Sequence, residues 1–432
     1  MNGPAVVRSL DRGQVGLVVA AAALLGVTVV FGVSAATAPA DRLGNDTANG
    51  TLVGIHGGGV GLHEDGSVRL LDGEGRTVYD IANADSYFEV YRMDDGRVLA
   101  SFMNGDAENC GPYPAPCART GFRILDPEAE DPIAFEYTYP VRTEKNSETH
   151  DAELLPSGEF LVTDMEHERV FTVWRNGTVS WMWNASEMYD APPDPTRTDW
   201  LHINDVDRLA EDRYLVSVRN ANQLVVVERG EGVVDVVNED GDPNLFRHQH
   251  NPQWLGPNAI LVADSGNNRI VELHRDGPDA DWEIVWELGG ANDRGFAWPR
   301  DADRLANGNT LITDSGNGRL VEVNASGAVV WSYTLSLNPY EAKRLPEGET
   351  VGGPRYGDTA NVTQSAAADG GDGVPVLSAT FTALRSGYPL PLWVTQWHLL
   401  AAVLGCLLAV GGGAVWGVER VRDARGRRAD SL

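Results

Sequence analysis

The segment Asn251–Asp264, NPQWLGPNAILVAD, aligns without a gap over Asp301–Asp314, DADRLANGNTLITD. Both align in turn over Asp151–Asp164, DAELLPSGEFLVTD, and Asp205–Val218, DVDRLAEDRYLVSV. Each reads as a strand, a polar turn and a second, more apolar strand. The starts are separated by 54, 46 and 50 residues, which is the spacing of β-propeller blades. Weaker copies begin at Glu89 (EVYRMDDGRVLASF) and Glu341 (EAKRLPEGET), bringing the count to six. Strands between Thr51 and Asp80 are expected to complete a ring with the C-terminal copy, because closure removes the free sheet edges. The predicted fold is all-β, a six-bladed β-propeller over residues 39–346, flanked by N-terminal and C-terminal transmembrane helices.

The strands between the copies are rich in Val and Trp, so most of the twelve Trp are expected to pack blades. Asp264 and Arg269 recur as Asp314 and Arg319, and as Asp164 and Arg169. A pair repeated in three blades belongs to the scaffold. These segments also resemble the repeats of NHL-type propellers, a likeness that assigns no activity.

The flanking helices follow from charge and hydropathy. The chain has 432 residues and a formal charge of -28, from 62 acidic against 34 basic side chains. Residues 1–14 carry a net +1 and residues 419–432 a net +2, so the acidity lies between them. An uncharged run at 15–38 is long enough to cross a bilayer, as an anchor or as a signal segment ending near Ala38-Pro39-Ala40. A second, at 391–418, is followed by the basic tail 419–432. By the positive-inside rule both termini are cytoplasmic, and residues 39–390 lie outside, with 347–390 as a Gly- and Ala-rich linker. So acidic a chain is not expected to bind nucleic acid.

Sequons at Asn45, Asn49, Asn176, Asn184, Asn324 and Asn361 all fall in the external part. Cys110 and Cys117 bracket a proline-rich loop and are expected to form a disulfide. Arginine replaces lysine almost everywhere, only Lys145 and Lys343 being present. With the acidity, this resembles the proteins of salt-loving archaea.

Unique polar residues at repeated positions mark the candidate site. Immediately before the four strong copies stand His150, Asn204, His250 and Arg300, which should face one axial mouth. His202 and His248 stand two residues before Asn204 and His250, on the same side of an extended strand, and Trp298 holds that place beside Arg300. Arg219 stands where other blades have Met165, Ser265 and Ser315. This set lacks the carboxylates of a calcium or magnesium cage, and no metal or cofactor is expected, although spacing alone admits three-imidazole coordination by His150, His202 and His250. It offers oxyanion donors together with proton-transfer or nucleophilic groups.

The segments WLHIND, SVRN, THD and RHQHNPQWL, carrying His202, Asn204, Arg219, His150 and His250, resemble the active-site stretches of the arylsulfate sulfotransferases. That resemblance implies an exported six-bladed propeller that moves a sulfuryl group from a phenolic sulfate ester to a phenol, without a nucleotide sulfate donor. It makes His250, or two residues earlier His248, the nucleophile of a sulfohistidine intermediate. His202, Asn204 and Arg219 would bind sulfuryl oxygens and His150 would assist proton transfer, while Arg300 and His248 are expected to bind substrate. The competing reading is a membrane-anchored propeller that binds a ligand or surface protein without catalysis.

Overall fold

The computed structural model describes residues 11–36, 50–58, 63–145, 147–292, 294–346, 348, 350–356, 394 and 396–429. The sequons at Asn45, Asn49 and Asn361, and most of the 347–390 linker, lie outside the described residues.

Six four-stranded antiparallel sheets form a β-propeller. Blade one runs from Ser86–Arg92 innermost to Ile133–Val141, blade two from Ala152–Leu154 to Val179–Asn184, and blade three from Ile203–Ala210 to Gly232–Val237. Blade four runs from His250–Gly256 to Glu283–Leu288, and blade five from Asp301–Arg304 to Val329–Thr334. Blade six takes its innermost strand, Asn338–Arg344, from the C-terminal side and pairs it with Thr51–Gly57 from the N-terminal side. The ring is thereby closed by chain ends nearly three hundred residues apart, as the edge argument requires.

The cores lie between blades. Leu161, Val170 and Trp183 of blade two meet Val206, Val216 and Val225 of blade three. Leu261, Ile270 and Trp286 of blade four meet Ala302, Ile312 and Val321 of blade five. The hairpin Phe160–Val173 shows the reason: its apolar residues alternate around a turn, so both faces of the sheet become buried against a neighbour.

Innermost strands are joined side chain to backbone around the axis. Asp151 accepts from the Val206 amide (2.8 Å), Gln253 from that of Arg304 (2.6 Å), Asp301 from that of Ala342 (3.0 Å) and Glu341 from that of Val90 (3.1 Å). The first residue of three aligned segments, Asp151, Asp301 and Glu341, thus has a structural use as a link from one blade to the next, and in blade four the third residue, Gln253, makes the link.

The Asp–Arg pair recurs with the same 2.7 Å contact in blades two, four and five. Asp264 also accepts from the Arg247 amide (2.7 Å), and Asp314 from that of Ala297 (2.8 Å). The pair therefore fixes the loop that leads into the axial mouth. Gly266 and Gly316 let that loop approach, since a Cβ on either would lie 2.7 or 2.5 Å from the carbonyl oxygen of Arg247 or Ala297.

A separate unit holds two apolar helices, α1 (Arg12–Ala36) and α2 (Gln396–Ala429). Segments of 23 and 27 residues, with mean hydropathy 2.5 and 2.2, are long and apolar enough to span a bilayer. The two pack antiparallel: Gly16 meets Gly412, Val27 meets Gly405, and Ser34 Oγ lies 2.8 Å from His398 Nε2. Small residues permit this approach, a Cβ at Gly16 falling 2.6 Å from the Gly412 carbonyl oxygen. Cys110 and Cys117 are joined in a disulfide.

Candidate functional site

The six residues that immediately precede the aligned segment starts are Phe88, His150, Asn204, His250, Arg300 and Tyr340. Four of them gather around a fifth, Tyr340. Its ring centroid lies 5.3 Å from Phe88, 5.6 Å from His150 and 6.2 Å from His250, and the Arg300 guanidinium sits 5.1 Å over it. Repeated strand register brings residues from blades one, two, four, five and six to one layer at the axis. Asn204 is tied sideways, its amide donating to the Gln249 carbonyl at 2.8 Å.

His202, His248 and Trp298 occupy the position three before the segment start, and all three have left-handed backbone, with φ of 56°, 47° and 51°. Such a conformation in bulky residues is held by its surroundings and clusters at functional sites. In blade two the same position is Glu148, and in blade one Ser86.

Hydrogen-bond partners settle two imidazole tautomers. His250 Nδ1 lies 2.8 Å from Ser265 Oγ and 3.1 Å from the His248 carbonyl oxygen. The Ser265 hydroxyl spends its single hydrogen on the Pro299 carbonyl (2.6 Å), so in the neutral ring Nδ1 carries the proton and Nε2 the lone pair. His202 Nδ1 donates to Asp199 (2.6 Å) while Nε2 accepts from Arg219 Nη1 (2.8 Å). Both His202 nitrogens are thus engaged in holding Arg219, which also reaches Asp199 at 3.4 Å. Glu168 accepts from the amides of Leu201, His202 and Ile203, fixing that corner from behind.

Burial and the arginine charges keep the imidazoles neutral. Burial, then His202, Arg219 and Arg300, push His150 down to about 3 against the pull of Glu148. Burial followed by Arg300 and Arg219 holds His250 well below its ordinary value. Burial lowers Arg300 to about 10, which leaves it a cation.

Several buried polar atoms at the mouth have no hydrogen-bond partner among the described residues: Arg300 Nε and Nη1, the Tyr340 hydroxyl, His150 Nδ1 and Asn204 Oδ1. Arg300 is only 5% exposed, and no carboxylate among the described residues lies within ion-pair distance of it. A buried guanidinium without a counter-ion is costly, so its persistence marks a place where an anion belongs. A cleft of about 670 Å³ at the far end of strand Ser86–Arg92, lined by Leu70, Asp72, Arg92 and Leu345, contains none of these residues.

The site residues expected from sequence divide accordingly. His150, His250 and Arg300 meet at the axis, with His202 and Arg219 beside them, while half-buried His248 lies 6.3 Å from Trp298 at the rim. Tyr340, Phe88 and Glu148 were missed. Their signal was the register itself, since Phe88 and Tyr340 precede the two weaker copies and Glu148 shares the position of His202.

No protein-family model and no curated protein matches the chain. Among solved structures, it is similar to a protein of unknown function from Bacteroides caccae, at 15% identity and TM-score 0.47, covering 68% of this chain and 98% of that one. It is also similar to the periplasmic gluconolactonase of Pseudomonas aeruginosa, at 13% identity and TM-score 0.41, covering 70% and 99%. A third is virginiamycin B lyase from Staphylococcus aureus, at 10% identity and TM-score 0.41, covering 72% and 91%. At these identities the likeness is one of fold.

The sequence expectations are corrected on that finding. Those of the similar propellers that are named by an activity are named as lactonases and lyases, and the sulfotransferase reading falls with its sulfohistidine, phenolic sulfate donor and phenol acceptor. The haloarchaeal attribution falls with it. The geometry supplies a physical reason for the misreading: short motifs placed His202 and Asn204 as sulfuryl ligands, but His202 holds Arg219 and Asn204 joins two blades.

Proposed function

We propose that the axial mouth binds a small organic anion and acts on it by imidazole acid–base catalysis, in a hydrolase- or lyase-type reaction. The observation that carries this reading is the buried Arg300 guanidinium, with Nε and Nη1 lacking partners among the described residues. A carboxylate-bearing substrate would seat its anionic group on Arg300, with the Tyr340 hydroxyl as a further donor. Arg219, oriented by His202 and Asp199, supplies a second cation. His250 Nε2 is the base, because its Nδ1 proton is fixed by Ser265 and the His248 carbonyl. It removes a proton from an activated carbon or from an attacking water.

The test is a panel of carboxylate-bearing esters, lactones and elimination substrates, screened against the detergent-solubilised protein. With the substrate found, Arg300→Gln is expected to raise KM roughly tenfold to a hundredfold. His250→Ala is expected to lower kcat by about 10²–10⁴. Full turnover by His250→Ala, or unchanged KM in Arg300→Gln, would sink the assignment.

The helix pair supports membrane anchoring with the propeller outside and both termini cytoplasmic. Antiparallel packing of α1 and α2 puts Arg12 and Arg420 at the same end, the arrangement that the positive-inside rule favours. The propeller at 39–346, the linker at 347–390 and the tail at 419–432 are kept as the domain division. Asn176 on an exposed turn, half-buried Asn184 at the end of strand Val179–Asn184 and half-buried Asn324 remain the glycosylation candidates within the described residues. Impermeant thiol labelling of Ser157→Cys, but not of Ser431→Cys, on intact cells is the expected outcome.

A further inference from the structure

Beside the anion pocket lies a second cluster that the proposed reaction does not use. His56 belongs to the closing strand Thr51–Gly57, His63 follows it, and Glu148 enters from blade two. One ligand atom from each lies within 4.8 Å of the others. His56 and Glu148 are buried at 2% and 6% exposure, and the two imidazole rings are 4.8 Å apart.

The hydrogen bonds around His63 fix what its ring presents to Glu148. Ser86 Oγ donates its single hydrogen to the His56 carbonyl at 2.6 Å and lies 2.8 Å from His63 Nδ1. Nδ1 is therefore the donor to Ser86, and in the neutral ring Nε2 holds a lone pair. That lone pair confronts Glu148 Oε1 at 3.4 Å. Two electron-rich atoms facing each other in a buried site need a cation between them. A proton on Nε2 would make the contact an ion pair, and a shared metal ion would make the two atoms neighbouring ligands. Two ligands bound tetrahedrally at about 2.1 Å from one ion stand roughly 3.4 Å apart. Glu148 Oε2, moreover, is buried with no hydrogen-bond partner among the described residues.

We propose that His56, His63 and Glu148 bind a divalent first-row transition-metal ion of the zinc class, with at least one coordination position left open. Two imidazoles and a carboxylate suit such an ion better than calcium or magnesium, which take oxygen ligands. The overlapping group Glu148, His150 and His202 is the poorer set, because both His202 nitrogens are already bonded to Asp199 and Arg219. His63 needs no new orienting partner, since Ser86 already holds its Nδ1, as outer partners of metal-bound histidines do. The inference stands apart from the anion reading, which rests on Arg300 and His250.

The experiment uses the full chain in detergent, stripped with a chelator and titrated with Co²⁺ and with Zn²⁺ against a chromophoric competitor. One equivalent of Zn²⁺ is expected, and Co²⁺ is expected to give the intense visible bands of a four- or five-coordinate site. His63→Ala and Glu148→Gln are each expected to weaken Zn²⁺ binding at least tenfold to a hundredfold, with near-ultraviolet circular dichroism checking that they fold. Should either fail to fold, His56→Gln carries the same expectation. Arg300→Gln is expected to keep the metal, so failure of the anion reading and failure of this one are distinguishable. Less than a tenth of an equivalent bound by the wild-type chain, or unchanged affinity in a folded variant, overturns the proposal.

Discussion

Within the site, His150 shows how one position turns burial into pH dependence. It is 4% exposed and faced by Glu148, His202, Arg219, Arg300 and Tyr340. Its folded value is pushed down to about 3, below the about 6.5 of the unfolded chain. Between these values the unfolded state binds a proton that the folded state refuses, so stability falls as pH falls from 6.5 toward 3. The slope is about 1.4 kcal/mol per pH unit for this one group. His150→Gln removes that proton from the balance, and its unfolding free energy is expected to depend less steeply on pH over pH 6.5–4. Urea unfolding of both proteins at several pH values measures this, and parallel curves would contradict it. The residue was legible in the sequence because it breaks a repeat. His56 and His63 were not, because they lie on a closing strand and loop that no aligned copy covers. Tyr340 and Phe88 stand before copies whose likeness to the others is weak, and aromatic residues at such places are easily taken for core.

At the element scale, the Asp–Arg pair at the end of the hairpin in blades two, four and five makes a comparative prediction. Asp264 and Asp314 are fully buried, and each holds an arginine, an asparagine and a loop amide. Their arginines differ. Arg269 keeps Glu287 at 2.8 Å if Asp264 is removed, whereas Arg319, 9% exposed, would keep, among the described residues, only the carbonyl oxygens of Ala291 and Arg294. Asp314→Ala therefore leaves a buried cation without a carboxylate among the described residues and is expected to cost about 3–5 kcal/mol. Asp264→Ala, with the charge still paired, is expected to cost about 1–3 kcal/mol. Equal losses on denaturant unfolding would refute this account of the difference. The repeat made the pair visible as scaffold. Its further role, carrying Arg247 and Ala297 toward the mouth, needed the fold, because those loop residues lie 17 positions from their aspartates.

For the whole molecule, the location of the acidity changes what it does. Glu89, Asp205, Asp301 and Glu341 are buried on the innermost strands and Asp151 just before one, and Asp164, Asp264 and Asp314 are buried in the repeated pairs. A part of the acidic complement is therefore structural, and Asp151, Asp301 and Glu341 each accept an amide from the next blade. Closure is where that ring is most exposed to failure. Thr51–Gly57 is buried along its full length and pairs with both Asn338–Arg344 and Gly66–Leu71. Its Leu52, Val53 and Ile55 are fully buried, and at about 1.5–3 kcal/mol each they contribute roughly 5–9 kcal/mol. A domain of ordinary stability has only about 5–15 kcal/mol in total. A chain beginning at residue 50 is therefore expected to unfold in one cooperative transition, while one beginning at residue 59 is expected to lose it and expose the unpaired edge of Asn338–Arg344. Size-exclusion and thermal unfolding of chains 50–356 and 59–356 make the comparison. Cooperative melting of the shorter chain within a few degrees of the longer would show that blade six holds without its N-terminal strand, and that closure lies elsewhere.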